Sequence, residues 1–497
     1  MKSTHSRKIE TSGKKGGGDR PPLPPSKMMA PRGLWLWILQ HPGTSLVLAI
    51  ALILSAVLGT FVGTQFYIQG QIEHRDRDRL QQEKFLRWVQ QFAPDERQGA
   101  ILALGSLENP EAQIQLLADL LGLETDRERF AAVQQALVSS GPNALPYLQK
   151  LNQSTRTDLD ALRYSTDEEQ RQVVEERLRS TQRAIAKLLQ LYSAQLAHID
   201  LNRTHLAQLP DGEFTLVLEK TDLSGIQLRG ALLNHGSFRG SQFYGAGKDG
   251  NFGTYDDETA DFTSSELADS DFTEAFLTHA VFAYSNLTRA TLDRANLFRS
   301  ILTKANLDNA QLIGADLRQA DLTDAILAGA NLSQANLAKT QAIGARLPQV
   351  SATGANFYQA LLSATDWQGA NLQGANLRQS NLEDANLSAT QLIDADLRGA
   401  QLKNVNLQQA DLTSAQLQGA TVDGADFRGA NFLSAQGQQS DRFLESSNDS
   451  FSGLLRGVDF TKAQNLDDKQ IVYICTQGGT HPLCSQMTEQ FSPENPE

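Results

Sequence analysis

The chain has 497 residues and a mass of 54.4 kDa, which is too long for one compact core unless the chain is a repeat array. Its two cysteines exclude a disulfide scaffold and a four-cysteine zinc site. The formal charge is −13; residues 1–33 carry +6 and the remaining 464 residues carry −19. A body this acidic excludes nucleic-acid binding through a general electrostatic footprint.

The N-terminal 68 residues contain a tail and an apolar stretch. Residues 1–33 mix Lys, Gly, Ser and Pro, which predicts a disordered basic tail. Residues 34–68 are predicted to form a transmembrane signal anchor, because 44–67 run for 24 positions without a charge and about 20 apolar residues span a bilayer. This stretch is too long for the apolar region of a cleaved signal peptide.

The basic residues around the apolar stretch predict its orientation. The tail side has eight Lys and Arg, and the first 20 residues beyond Tyr67 have five. The side with more basic residues normally stays in the cytoplasm. We therefore predict a single-pass protein with a cytoplasmic N-terminus and an exoplasmic body.

Residues 73–197 are predicted to be an α-helical domain, because apolar residues recur at three- and four-residue spacing. The segment from Gly141 to Leu148 loosely resembles the paired helices of HEAT-type repeats, over two or three helix pairs at most. A plain helical bundle is the alternative. From about 157 to 197, one apolar stripe predicts a long amphipathic helix.

A strict five-residue repeat runs from Ala260 to Ser434. Its central position recurs in 35 consecutive repeats, and Leu or Phe fills 31 of these centres. The residue two before the centre is Ala in 25 repeats and Ser or Thr in eight. Neither a helix nor a flat strand has a period of five, so each unit must pack on its neighbours in an array.

These residues resemble the pentapeptide-repeat family, whose unit is A(D/N)LXX. The resemblance implies a right-handed quadrilateral β-solenoid with four repeats per coil, in which the centre and the small residue point inward. The 35 repeats would then form a rod roughly 42 Å long, at about 4.8 Å per stacked strand. The family is abundant in cyanobacteria, so the resemblance also implies a cyanobacterial source and a periplasmic or thylakoid-lumen location.

The predicted solenoid extends over 198–436, beginning with centres at Leu201 and Leu206 and interrupted by insertions at 209–220 and 246–259. Residues 437–464 are predicted to hold a polar loop and one last repeat, and 465–497 a capping helix and a tail. Open solenoid ends expose strand edges, so we expect the C-terminal helix and the amphipathic helix to cover them. The fold class is therefore multidomain α+β: a transmembrane helix, a helical domain and a quadrilateral β-helix.

The sequence shows no set of residues that would perform chemistry. The eight His are scattered, and no metalloprotease, phosphate-loop or nucleophile-elbow motif occurs. The 246–259 loop contains oxygen ligands of the kind calcium prefers, but Thr254 stands where a calcium loop needs Gly. We interpret it as an acidic surface loop, with no catalytic, cofactor or metal site; its acidic and amide residues are Asp249, Asn251, Asp256, Asp257 and Glu258.

Two sets of residues are predicted to have structural roles. Cys475 and Cys484 form a disulfide if the compartment is oxidising, and two unpaired thiols are the alternative. Ala342 and Ala352 are undersized centres in one coil, and Trp367 is an oversized centre in the next. We predict that the indole lies inside the solenoid and fills the space that the two alanines leave.

Val281, Ile301 and Leu361 are apolar at an outward position that usually carries Asn or Asp, and they fall in one column of stacked repeats. We treat them as a candidate interaction face; scattered surface apolar residues are the alternative. Flat periodic faces suit protein partners better than small molecules, which prefer concave pockets. The predicted function is thus a non-enzymatic, membrane-anchored scaffold that binds protein and not nucleic acid or a small-molecule substrate. The family resemblance also implies an alternative, a DNA-mimic inhibitor of a topoisomerase or another nucleic-acid enzyme.

Overall fold

The computed structural model describes residues 110–192, 199–209, 214–253, 257–432 and 453–486. The predicted tail, the predicted membrane span at 44–67 and the first part of the helical domain lie outside these residues. Among the residues described, no helix has both the length and the apolar character needed to cross a bilayer.

The described part of the helical region begins at Pro110, in the first turn of its helix, where a missing N–H is tolerated. Its elements are α1 (Pro110–Leu123), α2 (Arg127–Ser139), a 3₁₀ turn (Pro142–Ala144), α3 (Leu145–Ala161) and α4 (Glu168–Tyr192). Helix α4 packs against both α2 and α3, and α1 packs against α2 and α3. The result is a small core of Leu, Ile, Val and Phe side chains.

The amphipathic helix starts later than predicted, at Glu168 and not near residue 157. Asp167 ends the preceding turn, because its Oδ1 accepts the N–H of Gln170 at 2.9 Å and its own N–H donates to Ser165 Oγ at 3.1 Å. Short polar side chains of this kind favour helix starts by satisfying free N–H groups. The buried apolar residues of this helix begin at Val174, so periodicity alone did not reveal where the helix starts.

The repeat region forms a β-solenoid with four sides. Parallel bridges connect residues 20 apart in unbroken columns, as from Asp261 through to Thr421. Each side is held from above and below: Leu302 N–H donates to Asp321 O at 2.7 Å, and Ile301 N–H donates to Ala280 O at 3.0 Å. The quadrilateral β-helix that the family resemblance implies is thus present.

The interior contains the two repeat positions that vary least in the sequence. All centres described between Phe262 and Phe432 are buried, with exposures of 0–4 %. The small position is also buried. At seven of its eight Ser and Thr residues the hydroxyl donates to the carbonyl of the preceding centre, as Ser380 Oγ does to Leu377 O at 2.7 Å; Ser300 is the exception. Burial of a hydroxyl is tolerated when it is hydrogen-bonded in this way.

The corners explain the preference for Asn and Asp just before the centre. At each corner the N–H of the small residue donates to the previous centre, as from Ala280 to Leu277 O at 3.0 Å. The third residue of this turn has a positive φ, +59° at His279. The side chain before the centre accepts the N–H two residues on, as Asn306 Oδ1 does from Asp308 at 3.0 Å. This bond fixes the turn.

The first insertion is shorter than predicted. Val217 already pairs with Ser237, and Leu218 is a buried centre in phase with Leu223. The predicted insertion at 209–220 is therefore wrong at its C-terminal end. The repeat was hidden because Leu216, and not a small residue, stands two before this centre.

The second insertion leaves the solenoid as a hairpin. Strands β1 (Tyr244–Gly245) and β2 (Glu258–Thr259) pair antiparallel at its base. The regular coil resumes at Ala260, whose N–H donates to Phe243 O at 3.1 Å. The insertion thus projects from one side without breaking the column of centres.

At the C-terminal end, the last repeat at Phe460 is fully buried, and Leu455 is a further buried centre that the sequence pattern did not reveal. Helix α5 (Asp468–Thr476) follows, opened by a capping box in which Asp467 and Gln470 bond each other's backbone N–H groups. It is followed by Gly478 with φ +84°. Gly478 and Gly479 therefore stop the helix.

Candidate interaction surface

The structure places the three candidate face residues in one column. Val281 pairs directly with Ile301, and Leu361 lies three coils further along, beyond Asp321 and Gln341. The side chains of Ile301 and Leu361 are 40 % and 42 % exposed, and Val281 is half-buried. The contiguous apolar surface in this column is therefore the pair Val281–Ile301, with Leu361 separate from it.

Aromatic residues near this pair enlarge the exposed apolar surface. Phe276 is 51 % exposed and stands in the outward position of the repeat before Val281, on the neighbouring side of the solenoid. Tyr284, 60 % exposed, lies at the corner after Val281. Sequence reasoning missed both, although Phe276 occupies the same repeat position as Val281. This apolar surface spans two sides and the corner beyond.

The hairpin adds a stack of rings at the same end of the solenoid. Tyr244 stacks on His279 at 5.4 Å between ring centroids, and the Phe252 ring meets Tyr244 at a tilt, at 5.5 Å. The Tyr244 hydroxyl donates to the Asp257 carboxylate, and burial together with this bond raises the pKa of Tyr244. Burial, followed by the nearby Arg299, lowers the pKa of His279. The stack fixes the hairpin against the solenoid corner.

The hairpin carboxylates bind their own loop. Asp249 Oδ1 accepts the N–H of Asn251 at 2.7 Å, and Asp257 accepts the N–H of Gly253 at 2.7 Å. Asp256 and Thr254 lie outside the described residues. Within the residues that are described, no group of His, Cys, Asp and Glu is arranged to hold a metal ion.

A groove of about 650 Å³ lies between α2, α4 and the first coil of the solenoid. Its lining includes Val138, Arg183, Lys187, Gln190 and Phe214. The lining also contains two hydroxyl residues, Ser139 and Thr215, and Ser139 Oγ donates to the backbone carbonyl of Gln135 at 2.9 Å.

The repeat region matches a known protein family. A family model described as "Pentapeptide repeats" matches the chain in eight overlapping copies between residues 260 and 432. This is the region in which the structure shows uninterrupted four-sided coils. The chain belongs to the pentapeptide-repeat family.

Several solved structures are similar to this pentapeptide-repeat protein. HetL, a pentapeptide repeat protein involved in heterocyst differentiation regulation from the cyanobacterium Nostoc sp. strain PCC 7120, is 27 % identical over 49 % of this chain and 94 % of its own, with a TM-score of 0.21. The Nostoc PCC 7120 protein alr5209 is 34 % identical over 24 % of this chain and 75 % of its own, with a TM-score of 0.11. QnrB1, a plasmid-mediated fluoroquinolone resistance protein, is 18 % identical over 41 % of this chain and 94 % of its own, with a TM-score of 0.22. No curated protein sequence matches the chain.

Trp367 lies inside the solenoid of this pentapeptide-repeat protein. Its side chain is 0 % exposed, and its Nε1 donates to Thr365 Oγ1 at 2.8 Å. Its ring meets Phe357 edge-to-face at 5.2 Å. Phe357 is the fourth centre of the coil that contains Ala342 and Ala352, so the indole reaches across the core of that coil. The contact with the two alanines stays a prediction.

Cys475 and Cys484 are joined by a disulfide, with their Cα atoms 5.4 Å apart. Cys475 lies in the last turn of α5, and Cys484 lies just beyond the strand residue Thr480, which pairs with Asp459. The bond therefore connects the capping helix to the chain that completes the last coil of the pentapeptide-repeat solenoid.

Proposed function

We propose that this protein is a non-enzymatic, membrane-anchored scaffold that binds a protein partner on the Val281–Ile301 side of its solenoid. The observation that carries the proposal is the placement of these two apolar residues. They stand side by side at an outward position that is polar in most other repeats. Phe276 on the neighbouring side offers the aromatic contact on which binding energy is commonly concentrated.

The backbone of the solenoid supports this role, because it is held on every coil by hydrogen bonds to the coils above and below. A rigid surface loses little conformational freedom when it binds. Its sides are flat, so they suit a protein surface better than a small molecule.

The membrane anchor and the exoplasmic location are part of the same proposal. The uncharged stretch at 44–67 and the basic tail support them. The paired cysteines agree with an oxidising compartment. A reporter that fluoresces only in the cytoplasm, fused after Glu497, should stay dark while the protein resists alkaline extraction from membranes. A bright reporter would reverse the orientation and favour the topoisomerase-inhibitor alternative.

The docking surface is tested by affinity purification from intact cells, with paired variants. Val281→Asp with Ile301→Asp should lower partner recovery at least about tenfold without unfolding, because Asp is common at this repeat position. The matched control is Thr291→Asp with Gln311→Asp, which changes two stacked residues in the same coils on the opposite side. Equal recovery with both variants would contradict this docking surface.

A further inference from the structure

The charges of the solenoid are segregated by corner. Residues 260–432 contain 18 acidic and 11 basic residues. One corner has five of the basic residues and no acidic one. It consists of the two residues after every fourth centre, in the series 278–279, 298–299 and so on to 418–419. We call it the basic ridge, and its cations are Arg299, Arg318, Lys339, Arg378 and Arg398. Each of the other three corners carries between two and four acidic residues.

Two of these five cations, Arg299 and Lys339, have no acidic partner among the described residues, and three share two carboxylates. Arg318 and Arg398 are paired with Asp316 and Asp396 at 2.6 Å. Arg378 is 3.8 Å from the same Asp396. Arg299 donates to the neutral Gln319 at 2.8 Å, and Lys339 forms no ion pair with a described residue. The ridge thus keeps a net positive charge after its pairs are counted.

Aromatic and apolar side chains border the cations. Phe298 lies within the ridge, with the guanidinium carbons of Arg299 and Arg318 at 5.1 and 5.5 Å from its ring centroid. Tyr358 lies in the same corner. Phe276 and Ile301, 51 % and 40 % exposed, are on the two sides that meet there. Arg and Lys beside aromatic rings are typical of residues at the depth of lipid headgroups.

We propose that the basic ridge rests on an anionic lipid surface and fixes the orientation of the solenoid on the membrane. The proposal rests on the membrane tether of the proposed function, because that tether holds the solenoid within reach of a bilayer. A corner is convex and two residues wide, so it offers a protein partner little area to bury compared with the roughly 800 Å² a side of a stable interface. A fluid headgroup layer adapts to a convex edge.

The acidic residues on the far corners of the solenoid do not prevent this contact. Opposite sides of a packed β-structure lie about 10 Å apart. The Debye length at physiological ionic strength is about 8 Å, so acidic residues on the far corners are largely screened from the lipid. In this orientation the Val281–Ile301 side borders the membrane, and a partner bound there would itself lie close to the bilayer.

Lysine reactivity tests the proposal on the full chain. The chain is mixed with vesicles of phosphatidylcholine alone, or with 30 % phosphatidylglycerol, and acetylation of Lys339 and Lys304 is followed by mass spectrometry. Lys304 is an exposed lysine on the neighbouring corner. We expect acetylation of Lys339 to slow at least about fivefold on the anionic vesicles, since one cation at such a surface gains roughly that factor. Lys304 should be acetylated at an unchanged rate. High salt should return the acetylation rate of Lys339 on the anionic vesicles to its value on phosphatidylcholine.

Two double variants with the same change in net charge distinguish an effect of the ridge cations from an effect of the overall charge. Arg299→Glu with Arg378→Glu should abolish the protection of Lys339. Lys304→Glu with Arg346→Glu, on other parts of the surface, should leave it intact. Equal Lys339 rates on both vesicle types would overturn the proposal, as would protection that survives in the ridge variant. Protection of Lys339 only in cells would also overturn it and indicate a protein partner at the ridge.

Resistance of the vesicle-bound chain to alkaline extraction measures the anchor separately. Lys339 protection is measured whether or not that anchor is present. Failure of the anchor and failure of the ridge therefore give different results.

Discussion

Asn152 binds the backbone of His205 with both ends of its side-chain amide. Its Oδ1 accepts the His205 N–H at 2.7 Å, and its Nδ2 donates to the His205 carbonyl at 2.9 Å. His205 lies in the first coil, whose outer edge pairs with no further coil among the residues that the structure describes. A helix side chain from α3 therefore replaces the missing strand at this edge.

Helix side chains also hydrogen-bond to backbone groups at the edges of both ends of the solenoid. Gln182 Nε2 donates to Ala207 O at 2.9 Å, and Gln190 Nε2 donates to Val217 O at 2.7 Å, both from α4. At the other end, Gln470 of α5 donates to Phe427 O and Ala430 O at 3.0 and 2.8 Å. The helices cap the solenoid by satisfying edge groups that would otherwise invite other strands.

Replacing Asn152 by Ala should lower the free energy of unfolding by about 2–4 kcal/mol, because it leaves a buried N–H and a buried C=O without partners. The matched control is Gln153→Ala. Gln153 donates to Asn202 O at 2.7 Å from a half-buried site, and Gln149 donates to the same oxygen at 3.2 Å. Gln153→Ala should lower the free energy of unfolding by under about 1 kcal/mol, because Gln149 still donates to the Asn202 carbonyl. Chemical denaturation measures both, and equal costs would contradict the capping role of Asn152.

His205 should make the capped end sensitive to acid. It is 5 % exposed, and burial, followed by the nearby Arg156, lowers its pKa to about 4 against an ordinary value of 6.5, although Asp160 acts in the opposite direction. The folded state binds the proton less well than the unfolded state. Stability from this group is therefore complete above pH 6.5 and is lost as the pH falls from 6.5 towards 4.

The loss should approach roughly 3 kcal/mol, at 1.36 kcal/mol per unit of pKa difference. The measurement is the difference in unfolding free energy between the parent and His205→Leu from pH 7.5 to 4.5. The parent should lose stability relative to the variant over this range. A difference that does not change with pH would refute the assignment.

Trp367→Leu should destabilise the solenoid by about 2–3 kcal/mol, because Leu leaves a cavity where the indole meets Phe357. A second substitution tests whether Ala352 and Trp367 are coupled in packing. Ala352→Leu alone should destabilise the parent by about 1–3 kcal/mol through overpacking, yet it should restore stability to the Trp367→Leu protein. An equal cost of Ala352→Leu in both backgrounds would show that the residues are not coupled.

The corner turns predict opposite effects for two exposed substitutions. Ala389 has φ +55°, a conformation that costs an L residue roughly 1–2 kcal/mol, so Ala389→Gly should stabilise the protein or leave it unchanged. Gly374 has φ +63°, and an added Cβ would meet open space. Gly374→Ala should therefore destabilise by about 1 kcal/mol through backbone strain alone. Thermal melts that rank the two changes in the reverse order would contradict this account of the corners.

The strict repeat made the solenoid predictable, because one period specifies the side, the corner and the inward residues at once. Its ends were less predictable. The centre at Leu218 was hidden because Leu216 stands where a small residue is expected. The start of α4 depended on the cap at Asp167, which does not alter apolar periodicity.

The candidate surface was predicted only in part. The column of Val281, Ile301 and Leu361 follows from counting 20 residues per coil. The aromatic stack of Tyr244, Phe252 and His279 depends on how the hairpin folds back, and sequence spacing does not encode that contact. The ring partner of Trp367 was also missed, because Phe357 lies on the opposite side of the coil below.

Site-specific photo-crosslinking in living cells tests the scaffold account most directly. A benzophenone amino acid is placed at position 301, or at position 311 on the opposite side, and irradiated in otherwise identical cells. The account predicts one discrete crosslinked protein from position 301, lost when Val281→Asp is added, and none from position 311. Identical crosslinking patterns from both positions, or no crosslink from position 301, would contradict the claim that this side of the solenoid binds a partner.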